Sequence, residues 1–372
     1  MAQPFDVCIR GAGVVGRTLA LLLARDGLRV ALVAEPAPAG GAGADVRAYA
    51  LNSAARTLLE SLRSWPDDAF ATAVLGMQVL GDDGGEVDFS AALAGAPALA
   101  WIVDVPALEA RLQEAVRYQP LVEVVDAPTG AALTVICEGR ASHARAQFGV
   151  DFDVTPYPQQ AIAARLSCEK PHAQIARQWF AHNEVLAFLP MGGELGNAVA
   201  VVWSVPQERT APLLALEPEE FARQLGAASH EALGALELVS ERAAWPLQLA
   251  RANRWVGQRA GHGWALAGDA AHTVHPLAGQ GLNLGLADAA ELAQVLRERA
   301  PWRGVGDLRL LRRYERARKA DVISMGLATD GLQQLFAPSA GLLQRLRNWG
   351  MNGFDHSGPL KTWLARQAMG LR

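Results

Sequence analysis

Two short stretches of this chain hold residue types able to grip an extended, partly anionic molecule. The first is Gly11-Ala12-Gly13-Val14-Val15-Gly16. In such a turn Gly11 permits the tight bend, Gly13 lets backbone approach a pyrophosphate, and Gly16 lets a helix pack closely on a strand. Glu35 stands nineteen residues after Gly16, where a carboxylate binds ribose hydroxyls. An ordinary Gly-rich turn beside an exposed Glu is the plain alternative. The second stretch is Gly268-Asp269-Ala270-Ala271-His272-Thr273-Val274-His275-Pro276-Leu277-Ala278-Gly279-Gln280-Gly281-Leu282-Asn283-Leu284-Gly285. Asp269 can accept hydrogen bonds from sugar hydroxyls. Gly279 and Gly281 leave room for a flat ring, and amides ahead of the next helix can face an anionic part of it. Arg47, in Asp45-Val46-Arg47, can reach either the phosphates and ring of such a ligand or solvent. Two nucleotide-type elements more than 250 residues apart indicate one long cofactor held from both sides.

The other titratable residues say less. His272 and His275 are three apart, but no Cys or carboxylate stands at supporting spacing and Pro276 follows. Structuring the loop is the reading for both, and no metal is expected. Arg10, directly before the first glycine, is out of place at the end of a buried strand, and the sequence offers no account of it.

These residues need elements to position them. Residues 5–10 read as a buried strand, 14–25 as a helix stopped at Gly27, and 28–34 as a second strand ending at Glu35. Helical spacing covers 50–62, 106–117 with Asp104 as N-cap, 218–225, 231–236, 284–299, 307–335 and 340–348. Short strands are expected at 121–125 and 133–137, and β structure over 74–90. Runs at 161–168, 175–180, 185–189 and 198–205, separated by turns, form an antiparallel sheet distinct from the α/β parts around it. Trp179, Phe180, Phe188 and Trp203 lie in that sheet, either as core or as a wall over a ligand. Phe188-Leu189-Pro190 is the candidate substrate wall.

The bulk numbers agree with an enzyme-sized globular chain. It has 372 residues, 51% hydrophobic and 19% charged, with formal charge −4. That excludes a disordered chain and argues against a nucleic-acid binder. Cys8, Cys137 and Cys168 are scattered without a CxxC, as in reduced cytoplasmic proteins, and no signal peptide or spanning segment is expected. Arg309, Arg312, Arg313, Arg316, Arg318 and Lys319 form a basic helical tract. It reads as a solvated face, or as one side of a helix touching the inner membrane surface.

Over nearly its whole length the chain resembles the FAD-dependent aromatic hydroxylases, a flavoprotein monooxygenase group, and within it the ring hydroxylases of ubiquinone biosynthesis. The resemblance rests on Gly11–Gly16, Glu35, the stretch 45–52, Gly268–Asp288, Tyr314-Glu315-Arg316-Ala317-Arg318 and Arg366-Gln367-Ala368-Met369-Gly370. It implies an α/β fold: a Rossmann-like FAD-binding domain (1–73, 98–155, 245–308), an inserted antiparallel β-sheet substrate domain (74–97, 156–244) and a C-terminal helical tail (309–372). It also implies cofactor contacts. Gly11, Gly13, Val14, Val15 and Gly16 would face the pyrophosphate, Glu35 the adenosine ribose, and Arg47 and Arg111 would lie near the cofactor. Gly268 and Asp269 would meet the ribityl–pyrophosphate part. Pro276, Gly279, Gln280, Gly281, Leu282 and Asn283 would meet the isoalloxazine, with His275, Pro276, Gly279 and Gln280 as its catalytic face.

The implied reaction uses FAD, with NAD(P)H as transient donor and O2, to hydroxylate a polyprenylated phenol through a C4a-hydroperoxyflavin. A biosynthetic protein complex and a homo-oligomer are the implied assemblies. Another aromatic substrate, or a flavin-binding subunit without catalysis, are alternatives. A halogenase is disfavoured because its Trp-x-Trp-x-Ile-Pro element is absent. One departure stands out. The family's Ala-Asp-Gly-Ala-x-Ser element is here Cys137-Glu138-Gly139-Arg140-Ala141-Ser142, and the stretch from Arg117 to Cys137 is short.

Overall fold

The computed structural model describes residues 5–34, 45–81, 85–181, 183–273 and 280–336, excluding the side chains of Gln280 and 323–336. It opens with strand Phe5–Arg10, helix Val14–Arg25 and strand Val30–Val33. The apolar run from Leu19 to Ala24 is buried throughout. It packs this helix against helices Val105–Arg117 and Gln280–Arg297.

A six-stranded sheet carries this unit. Its order is Val256–Arg259, His262–Leu266, Ala131–Ile136, Phe5–Arg10, Val30–Val33 and Val122–Val125. All neighbours are parallel except the first two, which form a hairpin. Val7–Ile9 and Val30–Val33 in the central strands are apolar and buried because helices cover the sheet. The glycine loop therefore sits at the carboxyl end of a central strand, where open parallel sheets bind ligands.

A nine-stranded sheet lies over this unit, with long strands Phe152–Cys168, Ala198–Pro206, Glu184–Met191 and Ile175–Ala181 at its centre. Alternation sorts its two faces. Leu186 and Phe188 join Trp179, Trp203, Phe221 and Leu225 in a core on one side, where helix Pro218–Ala228 packs. Val185, Ala187 and Leu189 face the other way.

Several expectations needed correcting. The sheet is antiparallel except for one parallel pair, Gly76–Gly81 with Ile175–Ala181. Those strands come from distant segments, so no hairpin dictates their direction. Residues 50–62 are not one helix. Strand Ala48–Leu51 ends at Asn52, whose side chain accepts from Ala55 N (2.9 Å) and starts helix Ser53–Ser61. Residues 231–236 form a turn, because His230 and Glu231 take left-handed φ of 52° and 53° after helix Pro218–Ala228 ends. The chain then enters strand Leu236–Leu238. Strands Ala100–Asp104 and Ala243–Ala252 gave no sequence signal. The helix expected from 284 begins at Gln280. The proposed helix at 340–348 lies outside the described residues. Strands Phe152–Cys168 and Ala243–Ala252 run straight through the expected boundaries at 155 and 245.

Helix Leu308–Phe336 does not present its apolar side outward over the described side chains. Leu311, Tyr314 and Val322 are core residues, and Tyr314 donates to Leu266 O at 2.8 Å. Among the described residues, no helix is long and apolar enough to cross a membrane.

Candidate functional site

The glycine loop is built by close contacts. Gly11 has φ +105°, and a Cβ there would lie 2.5 Å from Cys137 O. A Cβ at Gly16 would fall 1.9 Å from Gly11 O. Both positions are closed by the protein itself. Gly13 differs: its Cβ position has no atom within 4 Å, and the residue lines a cavity of about 600 Å³. Gly11 and Gly16 thus shape the turn, whereas Gly13 opens it.

The second loop meets the first directly. Val15 packs on Gly268 and Gly285, where added Cβ atoms would lie 3.3 and 2.7 Å from its Cγ2. Asp269 projects into the same cavity. Its carboxylate takes no hydrogen bond from any described residue. Burial pushes its pKa above the usual carboxylate range, although His272 and Arg140 pull the other way. Such an acceptor needs donors, and the hydroxyls of a polyol chain would supply them.

Beneath Asp269 lies a buried charge network. Asp288, 0% exposed, accepts from Gly268 N (2.8 Å) and contacts His272 Nε2 (2.7 Å) and Arg318 Nε (2.7 Å). His272 stacks on Trp255 with ring centroids 4.9 Å apart. Burial alone would raise the pKa of Asp288, but His272 and Arg318 outweigh it and hold it low. His272 is therefore a buried partner of a carboxylate. Arg318 belongs to this core and not to the solvated basic face.

The Asp45-Val46-Arg47 loop is gripped from the overlying sheet. Arg165 pairs with Asp104 and donates to the carbonyls of Asp45 (3.2 Å) and Val46 (3.4 Å). Arg47 lines the cavity, but its guanidinium is engaged by Asp45 at 2.6 to 3.0 Å. Burial would raise the pKa of Asp45, and Arg47 overrides it to leave the group low. Tyr49, beside Arg47 in the cavity, is pushed up by burial and stays a neutral phenol.

The roof of the cavity combines short side chains with Arg177, Gln178, Trp245 and Gln248. One cross-strand row reads Gln178, Ala187, Val202, Ala163, and the next brings Ala176, Leu189 and Ala200. Leu189 lines the cavity. Phe188 does not: it is 1% exposed in the opposite core, with its ring 5.0 Å from Trp179. Pro190 shares the Phe188 side by alternation. The period of two assigns only one of the three to the ligand side.

Of the other candidates, Val14, Gly281, Leu282 and Asn283 line the cavity. Asn283 is committed to backbone: its Oδ1 accepts from Asn52 N (3.0 Å) and its Nδ2 donates to Ala50 O (2.8 Å). Arg111 pairs with Glu114 at 3.1 Å and does not line the cavity. Glu35, His275, Pro276, Gly279 and the side chain of Gln280 lie outside the described residues. Sequence reasoning gave no role to Arg145, Arg165, Tyr49 or Asp288. Only Asp288 and Tyr49 fell inside stretches singled out, and only by resemblance.

A glycine loop open at Gly13, a carboxylate across the cavity that no described residue hydrogen-bonds and a β roof fit an FAD-binding protein of the monooxygenase class. The comparisons agree. The FAD binding domain family matches residues 123–325. The chain is 32% identical to the ubiquinone hydroxylase UbiL of Rhodospirillum rubrum, over 98% of this chain and 89% of that protein. It is 29% identical to the 3-demethoxyubiquinol 3-hydroxylase of Escherichia coli over 99% of each. In fold it matches p-nitrophenol 4-monooxygenase PnpA of Pseudomonas putida, with TM-score 0.74, 19% identity, and 99% and 97% of the two chains covered. The chain belongs to the FAD-dependent aromatic hydroxylases.

FAD affinity is expected to depend on pH through the Asp269 carboxylate, which takes no hydrogen bond from any described residue. Hydroxyl donors favour its charged form, so binding lowers its pKa. Affinity should fall as pH drops through the raised pKa, in a window starting near the usual Asp value of about 4 and extending upward. Asp269→Asn should flatten that dependence and weaken FAD by about tenfold or more. A titration of flavin fluorescence against pH checks it, and a pH-independent wild type would refute the assignment.

Proposed function

We propose that this protein hydroxylates the aromatic ring of a neutral, apolar-substituted phenol of the ubiquinone-precursor class, with a polyprenyl substituent. One observation carries the reading. The cavity has Gly13 and Asp269 on one side and a roof of Ala163, Ala176, Ala187, Ala200, Val202 and Leu189 on the other. The names of the two relatives above support the same substrate class.

We assign residues 1–73, 98–155 and 245–308 to the cofactor and 74–97 with 156–244 to the substrate, with strands Phe152–Cys168 and Ala243–Ala252 joining the two parts. Bound FAD, reduced by NAD(P)H, supplies the oxygen chemistry. The protein binds, orients and excludes water. Gly13 would admit the pyrophosphate, and Asp269 would accept hydrogen bonds from the ribityl chain. The alanine-rich roof covers an apolar substrate and keeps water from the reacting ring. Gln178, a polar group in the central row of the roof, can orient a phenolic hydroxyl by a neutral hydrogen bond.

The test is turnover of a short-chain prenylated phenol by the purified yellow protein with NADH or NADPH. Product heavier by one oxygen atom, formed in step with nicotinamide oxidation, is the expected result. A flavin-loaded protein that oxidises nicotinamide without oxygenating any such phenol would overturn the reading. Ala187→Phe should narrow the centre of the roof. It should raise KM about tenfold while leaving flavin content unchanged, as overpacking of a ligand wall does. An unchanged KM would place the substrate elsewhere.

A further inference from the structure

The two anomalies of the sequence meet in space. Arg10 Nε lies 2.8 Å from Glu138 Oε1, with the side chains only 14% and 10% exposed. Arg10 Nη1 also donates to Gln147 Oε1 at 2.7 Å. The other oxygen of Glu138 accepts from Ser142 Oγ (2.8 Å) and Ala144 N (3.1 Å). The departing carboxylate is thus turned away from the ligand, and Gly139 and Arg140 line the cavity in its place.

This turn touches both halves of the cofactor cradle. On one side Cys137 N donates to Arg10 O at 2.7 Å, and the Cys137 carbonyl closes on Gly11. On the other, Arg145 lies over the Phe152 ring at 3.6 Å and donates to the carbonyls of Arg140, Asp269 (3.4 Å) and Ala270 (3.3 Å). A continuous polar chain therefore runs from the residue before Gly11, through Glu138 and its turn, to the backbone of Asp269. A carboxylate one methylene shorter at position 138 would not span the same gap to Arg10 without moving the turn.

We propose that the Arg10–Glu138 pair, extended by Arg145, is a positioning device that sets the spacing between the glycine loop and the Asp269 loop, and so the fit of FAD. The proposal rests on the FAD assignment above. A partly buried ion pair contributes little net stability, whereas removal of one partner strands the other charge. Its effect should therefore appear in cofactor binding and not only in melting.

The experiment uses the flavin-loaded protein and the variants Arg10→Met, Glu138→Gln, Glu138→Asp and Arg10→Met with Glu138→Gln. FAD release on dilution is followed by flavin fluorescence, alongside the flavin reduction potential and Tm. Each single variant should bind FAD about tenfold more weakly and shift the potential, and the double should be no worse than the weaker single, as coupled neighbours behave. Arg145→Lys keeps the charge but loses the fork that reaches three carbonyls, and should give an intermediate loss even if the Arg10 variants fold poorly. Additive losses, or a lowered Tm with unchanged FAD affinity, would reduce the pair to a structural role and overturn the proposal. A wild type that takes up no FAD would refute the cofactor assignment instead.

Discussion

Replacing Asp288 with Ala is expected to cost about 3–5 kcal/mol of stability and to empty the protein of flavin, because it strands a buried charge. Asp288 is fully buried and holds Gly268 N, His272 and Arg318 at once. Without it, the Arg318 guanidinium, 4% exposed, loses its buried partner and among the described residues keeps the half-exposed Asp321 and the Leu284 carbonyl. Gly268 N loses its acceptor as well, and Asp269 is the next residue. Thermal melting and flavin absorbance on one preparation test both effects. Asp288→Leu with Arg318→Met should recover much of the stability, since an apolar pair replaces a buried ion pair at little cost. It should not recover the flavin, because the Gly268 amide is still unanchored. A variant with wild-type Tm and full flavin would show that the network is incidental.

The same network fixes the acid limit. The Asp288 carboxyl is held below its ordinary range in the fold, so the unfolded chain binds its proton more readily. Its stabilising effect is complete above the unfolded pKa of about 4 and fades as pH falls below it, through the folded value. Denaturant midpoints that decline from that point downward in wild type, and less steeply in the Asp288→Leu double variant, are the expected signature.

Gly16→Ala is the second large effect. The added methyl would lie 1.9 Å from Gly11 O and 3.4 Å from Cys137 Cβ. Backbone cannot yield that distance by a side-chain rotation, so helix Val14–Arg25 must lift from strand Phe5–Arg10. The cost is about 3 kcal/mol, at the upper end for overpacking. FAD should be lost with it, because Gly13 moves as the helix moves. The contrast is Gly13→Ala, whose Cβ meets no atom of the other described residues beyond its chain neighbours. It should leave stability within about 1 kcal/mol of wild type and weaken FAD alone, since a bound ligand would be what the added methyl meets. Equal stability losses in the two variants would contradict this division between a turn-forming and a ligand-facing glycine.

The comparison of these glycines shows what was legible in advance. The spacing of Gly11, Gly13 and Gly16 between two apolar strands indicated a phosphate-binding turn. The stretch from Gly268 indicated a second contact with the same ligand. Local chemistry was enough there, because backbone permissiveness and strand-turn-helix order are properties of neighbouring residues. The roof was harder. Runs such as 185–189 were readable as strands, but Phe188 is an aromatic in a buried strand whichever face it takes. Only the pairing of Glu184–Met191 with its neighbours puts Leu189 over the cavity and Phe188 behind it. Strand Ala243–Ala252 was missed because alanine carries little β preference, and its partner Phe152–Cys168 imposes the extended form.

By itself, then, the sequence determined two loops shaped for one long nucleotide-type cofactor and the α/β plan around them, since each follows from short-range steric and hydrogen-bonding rules; FAD itself came from the family resemblance. The tertiary structure alone decided the pairings: Arg10 with Glu138, Arg145 with the Asp269 loop, Asp288 with Arg318, Arg165 with Asp104. Their partners are 30 to 128 residues apart along the chain for the ion pairs. A charge in a sequence does not specify its counter-charge at that range. Burial in a low-dielectric interior does, because an unpaired ion there costs more than the fold can bear.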